Sequence, residues 1–199
     1  MIVVDVELTG LSVDRDSIVS IGAVDLSKPK NQFYGECRIW SGAHINKEAL
    51  AVTGFTEDQA KDPKKQTDEE LVKKFINWAL LCSEHTFAGQ NPYLDMEFIR
   101  AGAKRYHLNW TFPHRTIDQH SLCFMHIAKR GMTPPVSKKR TDLNSDKIME
   151  YVGIPTETHP HNALNGAKIA SEAISRLLYD KKLLPEFKSF EIPWLTSKK

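Results

Sequence analysis

Apolar and polar residues alternate early in the chain at the spacing expected of β-strands. Residues 2–8, 16–26 and 32–40 are short runs rich in valine, isoleucine and aromatic side chains, and turn-forming clusters such as SKPKN separate them. This pattern predicts three consecutive antiparallel strands at the start of the fold.

The spacing of apolar residues changes to three and four after Thr67, which predicts an amphipathic helix with Thr67 as its N-cap. The apolar positions of this helix are Leu71, Phe75, Trp78, Ala79 and Cys82. Acidic residues at 68–70 complement the positive end of the helix dipole. The first helix therefore follows the three strands.

Strands and helices alternate through the rest of the chain. The pattern predicts a strand at 85–89, a helix opening near Asp95, a short strand at 114–118, helices near 118–130 and 143–152, and a final helix after His161. The apolar stripe of the final helix is Ala163, Ala167, Ala170, Ile174 and Leu177, so its N-terminal half should approach a neighbour closely. This order predicts an α/β fold built on one mixed sheet flanked by helices.

Two segments are expected at the surface. Residues 131–142 form a basic loop that contains prolines, and the tail begins at Leu184. The aromatic residues of the tail, Phe187, Phe190 and Trp194, would be able to dock on the body of the protein or on a partner.

Length and composition narrow the protein class. A chain of 199 residues with 41% hydrophobic content is expected to form one domain, and a net charge of +2 neither requires nor excludes a polyanionic partner. Three cysteines without a CxxC pair favour packed, reduced thiols. An acid at position 5 and the lack of a long apolar run predict a soluble, cytoplasmic protein without a membrane span.

The first strand carries the first candidate chemistry. Asp5 and Glu7 are two residues apart, so both side chains leave the same face of a strand, while Val4, Val6 and Leu8 can pack on the other. Two adjacent carboxylates repel each other unless a cation lies between them, and Mg²⁺ or Mn²⁺ prefers such oxygen ligands. The alternative is an exposed edge strand of alternating polarity.

Three further features add to this pair. A glycine turn, TGL at 9–11, follows the acids and would let backbone N–H groups approach a ligand. The sequence GQNPYLD at 89–95 ends a strand and starts a helix at a third acid, Asp95, and His161 stands where the final helix begins. These features favour a metal site over an edge strand.

The motifs VVDVELTGL, QNPYLDMEFI and HNALNGA together resemble the three motifs of the DEDDh 3′-to-5′ exonucleases, which have a ribonuclease H-like fold. The resemblance spans residues 2–178, so we expect an exonuclease-like domain at 1–183 and a tail at 184–199. It implies that Asp5, Glu7 and Asp95 hold two divalent ions, Mg²⁺ or Mn²⁺, and that His161 is the general base.

One position departs from the family pattern. The family has a fourth acid five residues after the histidine, where this chain has Gly166. The next acid on the helix, Glu172, lies on another face more than a turn away, and Asn165 offers only a neutral oxygen about 100° around the helix. The site would then bind metal more weakly, or would have lost cleavage, or the residue was altered deliberately.

The resemblance implies hydrolysis of single-stranded DNA, RNA or short oligonucleotides from the 3′ end. Expected substrate contacts are Thr9, Gly10, Leu11, Phe55, Asn91 and Tyr93. The basic run of Lys138, Lys139 and Arg140 would contact phosphates or remain solvated. The alternatives are a nucleic-acid-binding module without turnover and an accessory subunit. The expected assembly is a homodimer or a larger replication, repair or RNA-processing complex.

Overall fold

A five-stranded mixed sheet forms the centre of the computed structural model, which describes residues 1–196. The strands are β1 (Ile2–Leu8), β2 (Ile18–Asp25), β3 (Gln32–Glu36), β4 (Phe87–Gly89) and β5 (Thr116–Asp118), in the spatial order β3-β2-β1-β4-β5. β1, β2 and β3 are antiparallel, whereas β4 and β5 run parallel to β1. The predicted α/β fold with three antiparallel strands is confirmed, although β3 is shorter than the predicted 32–40.

Helices cover both faces of this sheet. They are α1 (Lys47–Thr53), α2 (Glu57–Lys61), α3 (Asp68–Ala79), α4 (Pro92–Arg105), α5 (Gln119–Lys129), α6 (Ser145–Val152), α7 (Ala163–Tyr179) and α8 (Pro193–Thr196). Thr67 caps α3 as predicted, but α4 begins three residues before Asp95, with Asn91 as its N-cap. The predicted surface loop at 131–142 contains a short hairpin of β6 (Val136–Ser137) and β7 (Arg140–Thr141).

The two faces of β1 meet different helices. Its even-numbered side chains, including Val4 and Val6, join a core that contains Phe75 of α3 and Ile99 of α4. On the opposite face, Val3 packs in a cluster with residues of α7. Because side chains alternate along a strand, Asp5 and Glu7 lie on the α7 side.

Small residues allow α7 to lie directly on the sheet. A Cβ atom added to Gly22 of β2 would be 2.1 Å from the backbone carbon of Ala163, at the start of α7. Gly22 is also the partner of Asp5 in the β1–β2 ladder. The expected close approach of the N-terminal half of this helix is therefore confirmed, and it brings the helix start over Asp5.

The C-terminal segment packs on α7 through a buried ion pair. Arg176 lies 2.8 Å from Glu172, and its guanidinium also donates hydrogen bonds to four backbone carbonyls. Three of these carbonyls belong to residues 187–191, while Glu172 accepts hydrogen bonds from the N–H groups of residues 183 and 184. Residues 183–191 are thereby joined to the helix by polar contacts on both sides of one ion pair.

The aromatic residues of the tail have different environments. Phe187 is buried, Trp194 stacks on Tyr151, and Phe190 is partly exposed. The expected docking of the tail on the body is thus present for Phe187 and Trp194.

The thiols of Cys37, Cys82 and Cys123 are buried and free, in agreement with the prediction. Cys37 and Cys82 lie in the core between the sheet and α3, whereas Cys123 lies in the core formed by α5, α6 and α7. Within residues 1–196, no helix is long and apolar enough to cross a membrane.

Candidate active site

Three acidic side chains from two elements meet at one open cleft. Asp5 and Glu7 extend from β1, and Asp95 extends from the first turn of α4. The Asp95 Oδ1 atom accepts a hydrogen bond of 3.0 Å from the backbone N–H of Val6, which lies between the other two acids. This bond fixes the third acid beside the first two.

The end of a short strand explains this hydrogen bond. β4 pairs with β1 only at Ile2 and Val3, so the β1 backbone beyond this point is not paired on that side by β4. The chain leaves β4 through Asn91, which has a left-handed conformation with φ of 49°, and enters α4 at Pro92. The Asp95 carboxylate then accepts the hydrogen bond from the Val6 N–H, which lies beyond the residues of β1 that pair with β4.

Burial and mutual repulsion raise the pKa of all three carboxyl groups. Glu7 is only 6% exposed, and its burial followed by the charge of Glu157 raises its pKa to about 7. Burial also raises the pKa of Asp95 to about 7, although hydrogen bonds from the Val6 and Asp95 N–H groups oppose this. The pKa of Asp5 lies well above its usual range because of burial and the charges of Asp95, Glu7 and Glu157.

Within residues 1–196, Asp5, Glu7 and Asp95 have no salt bridge to a lysine, an arginine or a histidine. In the same range, the carboxylates of Asp5 and Glu7 receive no hydrogen bond. No group of three acidic, histidine or cysteine side chains in this range is already placed to hold a metal ion. The donor chemistry nevertheless fits a hard cation, because none of the three acids has a cationic partner in this range and the oxygens of Asp5 and Glu7 have no hydrogen-bonding partner there.

His161 stands just before the N-cap of α7. Asn162 caps the helix by accepting hydrogen bonds from the N–H groups of Leu164 and Asn165, and the His161 N–H donates to the Val52 carbonyl of α1. The imidazole is 34% exposed, and its Nδ1 atom lies 3.8 Å from the Glu157 Oε2 atom. The side chain is therefore fixed at its base and open to solvent.

Gly166 faces Asp5. A Cβ atom added at Gly166 would lie 2.3 Å from the Asp5 Oδ2 atom, so a side chain at this position would point at the acid. The glycine also lets the first turn of α7 approach β1 closely, since any larger residue would displace the Asp5 carboxylate.

The cleft around the acids has a volume of about 400 Å³. Its lining includes the apolar residues Leu8, Leu11, Ala49, Val52 and Leu94, the polar residues Thr53, Gln90 and Asn91, and Gly10. It thus combines acidic groups with apolar walls.

Comparison with known proteins places the chain in a family. A family model described as Exonuclease (RNase_T) matches residues 2–174, which is most of the chain. The chain belongs to the exonuclease family. The acidic cleft and His161 lie within the matched residues.

The chain matches only a small part of several larger curated relatives. DNA polymerase III PolC-type from Thermotoga petrophila is 24% identical over 192 residues, or 96% of this chain and 13% of the relative. The Bacillus cereus protein of the same name is 30% identical over 112 residues, or 55% of this chain and 7% of the relative. Ribonuclease T from Vibrio vulnificus is 26% identical over 136 residues, or 61% of this chain and 63% of the relative. The chain thus spans about an eighth or less of the polymerase relatives.

Solved exonuclease structures share the fold. Cell-death related nuclease 4 superposes with a TM-score of 0.67 at 14% identity, covering 96% of this chain and 65% of that protein. Escherichia coli Exonuclease I in complex with a 5cy-dT13 oligonucleotide gives a TM-score of 0.68 at 15% identity, covering 90% and 41%. The nuclease domain of 3′hExo, a DEDDh family member bound to rAMP, superposes with a TM-score of 0.62 at 16% identity. The match covers 92% of this chain and 93% of that chain. The ribonuclease H-like fold is confirmed.

The predicted substrate residues occupy three places. Gly10, Leu11 and Asn91 line the cleft with the acids. Phe55 lines an adjoining pocket that also contains His161, and the Lys65 ammonium lies 4.4 Å from the centre of its ring. Tyr93 is exposed on α4, outside the lining of the cleft.

Thr9 shapes the turn after β1 and is fully buried. Its hydroxyl donates to the His44 carbonyl and accepts from the Ser17 N–H. Gly10 is packed against Asp16, because an added Cβ would lie 2.3 Å from the Asp16 Oδ2 atom. These contacts hold Leu11 out at the mouth of the cleft.

Glu157 is a nearby acid that the sequence reasoning missed. No substitute carboxylate was expected, because the next acid on the helix, Glu172, lies on another face; the structure pairs it with Arg176. Glu157 precedes the helix, four residues before His161, and its charge acts on both Asp5 and Glu7. An acid in the sequence TETHPH, just ahead of the candidate base, was the available signal.

Proposed function

We propose that the protein is a divalent-metal-dependent 3′-to-5′ exonuclease acting on single-stranded DNA, RNA or short oligonucleotides. The observation that carries this proposal is the set of three carboxylates in one cleft, with Glu7 and Asp95 buried, Asp5 partly buried, and no cationic partner for any of them among residues 1–196. Membership of the exonuclease family and the oligonucleotide bound to Exonuclease I support it.

Asp5, Glu7 and Asp95 would hold Mg²⁺ or Mn²⁺, with two ions as the resemblance implies. When bound, such ions neutralise phosphate charge and make water a stronger nucleophile. The carboxylates themselves suit this task because charge repulsion, which raises their pKa, would be relieved by a cation.

His161 would act as the general base. Histidine side chains exchange protons near neutral pH, and this one is partly exposed in the pocket that adjoins the acidic cleft. It would accept a proton from the water that attacks the phosphorus atom. The new bond joins the water oxygen to phosphorus, the bond to the 3′ oxygen breaks, and the leaving oxygen takes up a proton.

The apolar walls of the cleft would hold the terminal base. Leu11 on one side and Val52 on the other present aliphatic surface near the acids. Bases at single-stranded ends are commonly packed on apolar and aromatic side chains. Asn91 would add polar contacts from the start of α4.

The experiment is digestion of 5′-labelled DNA and RNA oligonucleotides in Mn²⁺, each with a free or a blocked 3′ end. We expect stepwise shortening only when the 3′ end is free and only with the divalent ion. Asp5→Ala should remove the activity, whereas Glu150→Gln on the exposed face of α6 should retain it. Activity that survives in Asp5→Ala, or that requires a free 5′ end, would contradict the proposal.

Gly166 favours a second candidate, a nucleic-acid-binding module without turnover. In that case the protein would bind single-stranded oligonucleotides, and the same digestion would show no shortening in either Mg²⁺ or Mn²⁺. A fluorescence anisotropy titration with labelled oligonucleotides separates this module from an accessory subunit that binds no nucleic acid.

A further inference from the structure

A fourth carboxylate lies against the start of α7, on the segment that precedes the helix. The Glu157 Oε1 atom accepts a hydrogen bond of 3.1 Å from the N–H of Asn162, the N-cap of α7. Its Oε2 atom lies 3.8 Å from the His161 Nδ1 atom. The side chain is only 16% exposed, although glutamate is ordinarily a surface residue. Glu157 is therefore held at the end of the helix that approaches Asp5.

Position 166, where the resemblance implies a fourth acid, cannot supply one. Gly166 has no side chain, and the Asp5 carboxylate fills the space into which its Cβ would extend. Glu172, further along the helix, is buried in its ion pair with Arg176. Glu157, by contrast, is hydrogen-bonded to the N-cap of α7, next to Ala163, whose backbone lies against Gly22, the β-ladder partner of Asp5.

We propose that Glu157 supplies the fourth carboxylate of the cation site, in place of the acid that position 166 lacks; this inference rests on the proposed metal-dependent function. The carboxylate would reach the site from the loop before α7 and not from the helix itself. The site would then have four acids, Asp5, Glu7, Asp95 and Glu157.

The state of Glu7 independently indicates a cation. Its side chain is nine-tenths buried, lines the cleft, and receives no hydrogen bond within residues 1–196. A buried charge without a partner is costly, so this carboxylate has a bonding position to offer.

The existing contacts of Glu157 leave it able to bind a cation. A carboxylate has about four lone-pair positions, and the hydrogen bond from Asn162 uses one of them. The same bond fixes the loop to the helix cap, which limits the motion of the side chain. The alternative role is to orient the His161 ring, which the nearby Oε2 atom also permits.

The test measures Mn²⁺ binding by isothermal titration calorimetry for the original chain, Glu157→Gln and Glu150→Gln. Glutamine keeps the shape of Glu157 and removes its charge, while Glu150→Gln makes the same change on the exposed face of α6. We expect Glu157→Gln to weaken Mn²⁺ binding by about 10-fold or more, and Glu150→Gln to leave it unchanged. Equal affinity in Glu157→Gln and the original chain would overturn the inference.

A double-mutant cycle with Gly166→Asp tests whether the two positions share one role. If the aspartate introduced by Gly166→Asp can provide the missing carboxylate, Glu157→Gln should lower the Mn²⁺ affinity by less than about 3-fold in that background. This loss is well below the loss expected in the original chain. If Gly166→Asp binds Mn²⁺ more tightly than the original chain, equal losses of affinity in both backgrounds would show that the positions act separately and would overturn the inference. Thermal unfolding in EDTA identifies any variant that does not fold. If Gly166→Asp does not fold, the effect of Glu157→Gln alone on Mn²⁺ affinity tests the inference.

Asp5→Asn separates failure of this inference from failure of the proposed function. If the original chain binds no Mn²⁺ at millimolar concentration, the metal-dependent function itself is wrong. If it binds Mn²⁺ and Asp5→Asn does not, but Glu157→Gln binds normally, only the role of Glu157 is wrong. Normal Mn²⁺ affinity with a shifted pH–rate profile in Glu157→Gln would assign this residue to positioning His161 and would also overturn the inference.

Discussion

Glu7 is a buried carboxyl group whose charge has no partner among the described residues, and this affects stability at neutral pH. Folding raises its pKa from 4.5 to about 7, so the folded protein holds the proton more tightly than the unfolded chain between these values. Stability of the metal-free protein must therefore fall as the pH rises through this window. The direction is opposite to that of an acid with a folded-state salt bridge.

Glu7→Gln should remove this part of the pH dependence. Urea unfolding in EDTA at pH 5 and pH 8 would compare the original chain with the variant, in which the Glu7 charge also no longer raises the pKa of Asp5 and Asp95. Between pH 5 and pH 8, we expect the free energy of unfolding of the original chain to fall by on the order of 1–3 kcal/mol more than that of Glu7→Gln. Glu150→Gln is the control and should behave like the original chain. A loss of the same size in Glu7→Gln would place the titrating group elsewhere.

Leu11 offers a test of substrate contact that is separate from stability. Its side chain is 74% exposed at the mouth of the cleft, held there by the turn after β1. Leu11→Ala should raise the KM for an oligonucleotide several-fold while changing the free energy of unfolding by less than about 0.5 kcal/mol. Leu81→Ala, at another highly exposed leucine, should change neither quantity. An unchanged KM in Leu11→Ala would remove Leu11 from the substrate site.

At the level of elements, the contact between β2 and α7 determines where the start of the helix lies. A Cβ at Gly22 would meet backbone atoms of Ala163 and Leu164, whereas a Cβ at Gly35 of β3 would meet the end of the Leu71 side chain at 2.5 Å. A side-chain end can rotate away, but a helix backbone must shift as a unit. The two glycines therefore form a matched pair on one sheet.

Gly22→Ala should cost roughly 1–3 kcal/mol of unfolding free energy, and Gly35→Ala distinctly less. Gly22→Ala should also lower the rate of hydrolysis, because displacement of α7 moves His161 relative to the acids on β1. Urea unfolding and initial rates on the same oligonucleotide check both effects. If the two variants are equally stable and equally active, α7 does not depend on this close contact.

The sequence predicted those elements whose information is local. The period of two around Asp5 and Glu7 and the capping box at Thr67 depend on neighbouring residues, so β1 and α3 were found. The five-residue helix α2 is too short to show a period, and it was missed. Glu157 was missed for a different reason, since the sequence shows an acid ahead of His161 but does not show its contact with the cap of α7.

At the level of the whole molecule, two ion pairs of different burial help to join α7 to the C-terminal segment: one lies within α7 and binds the backbone of the segment, and the other links the helix to a side chain of the segment. Arg176 and Glu172 are fully buried, whereas Lys168 and Glu186 are partly exposed and 3.1 Å apart. The i,i+4 spacing of the first pair is a local pattern, but its burial is not, because the guanidinium binds distant backbone carbonyls, which any residue can provide. The tail was therefore expected to lie on the surface, with its aromatic side chains as its main contacts.

Arg176→Met should destabilise the protein by roughly 3–5 kcal/mol, because it leaves the Glu172 charge buried without its partner. Lys168→Met should cost less than about 1 kcal/mol, since the pair that it breaks is partly solvated. Urea unfolding of the two variants gives the comparison, with both substitutions on the same helix and facing the same segment. Similar losses would mean that the buried pair does not hold the C-terminal segment in place.

The rates at which the buried thiols are alkylated would measure how often the fold opens. Burial raises the pKa of Cys82 to about 11 and that of Cys123 to about 12, and the thiolate is the form that reacts with alkylating reagents. Alkylation at neutral pH must then wait for local or global opening. Because Cys82 and Cys123 lie in different cores, their separate modification times, read by mass spectrometry, would report which side of the sheet opens first.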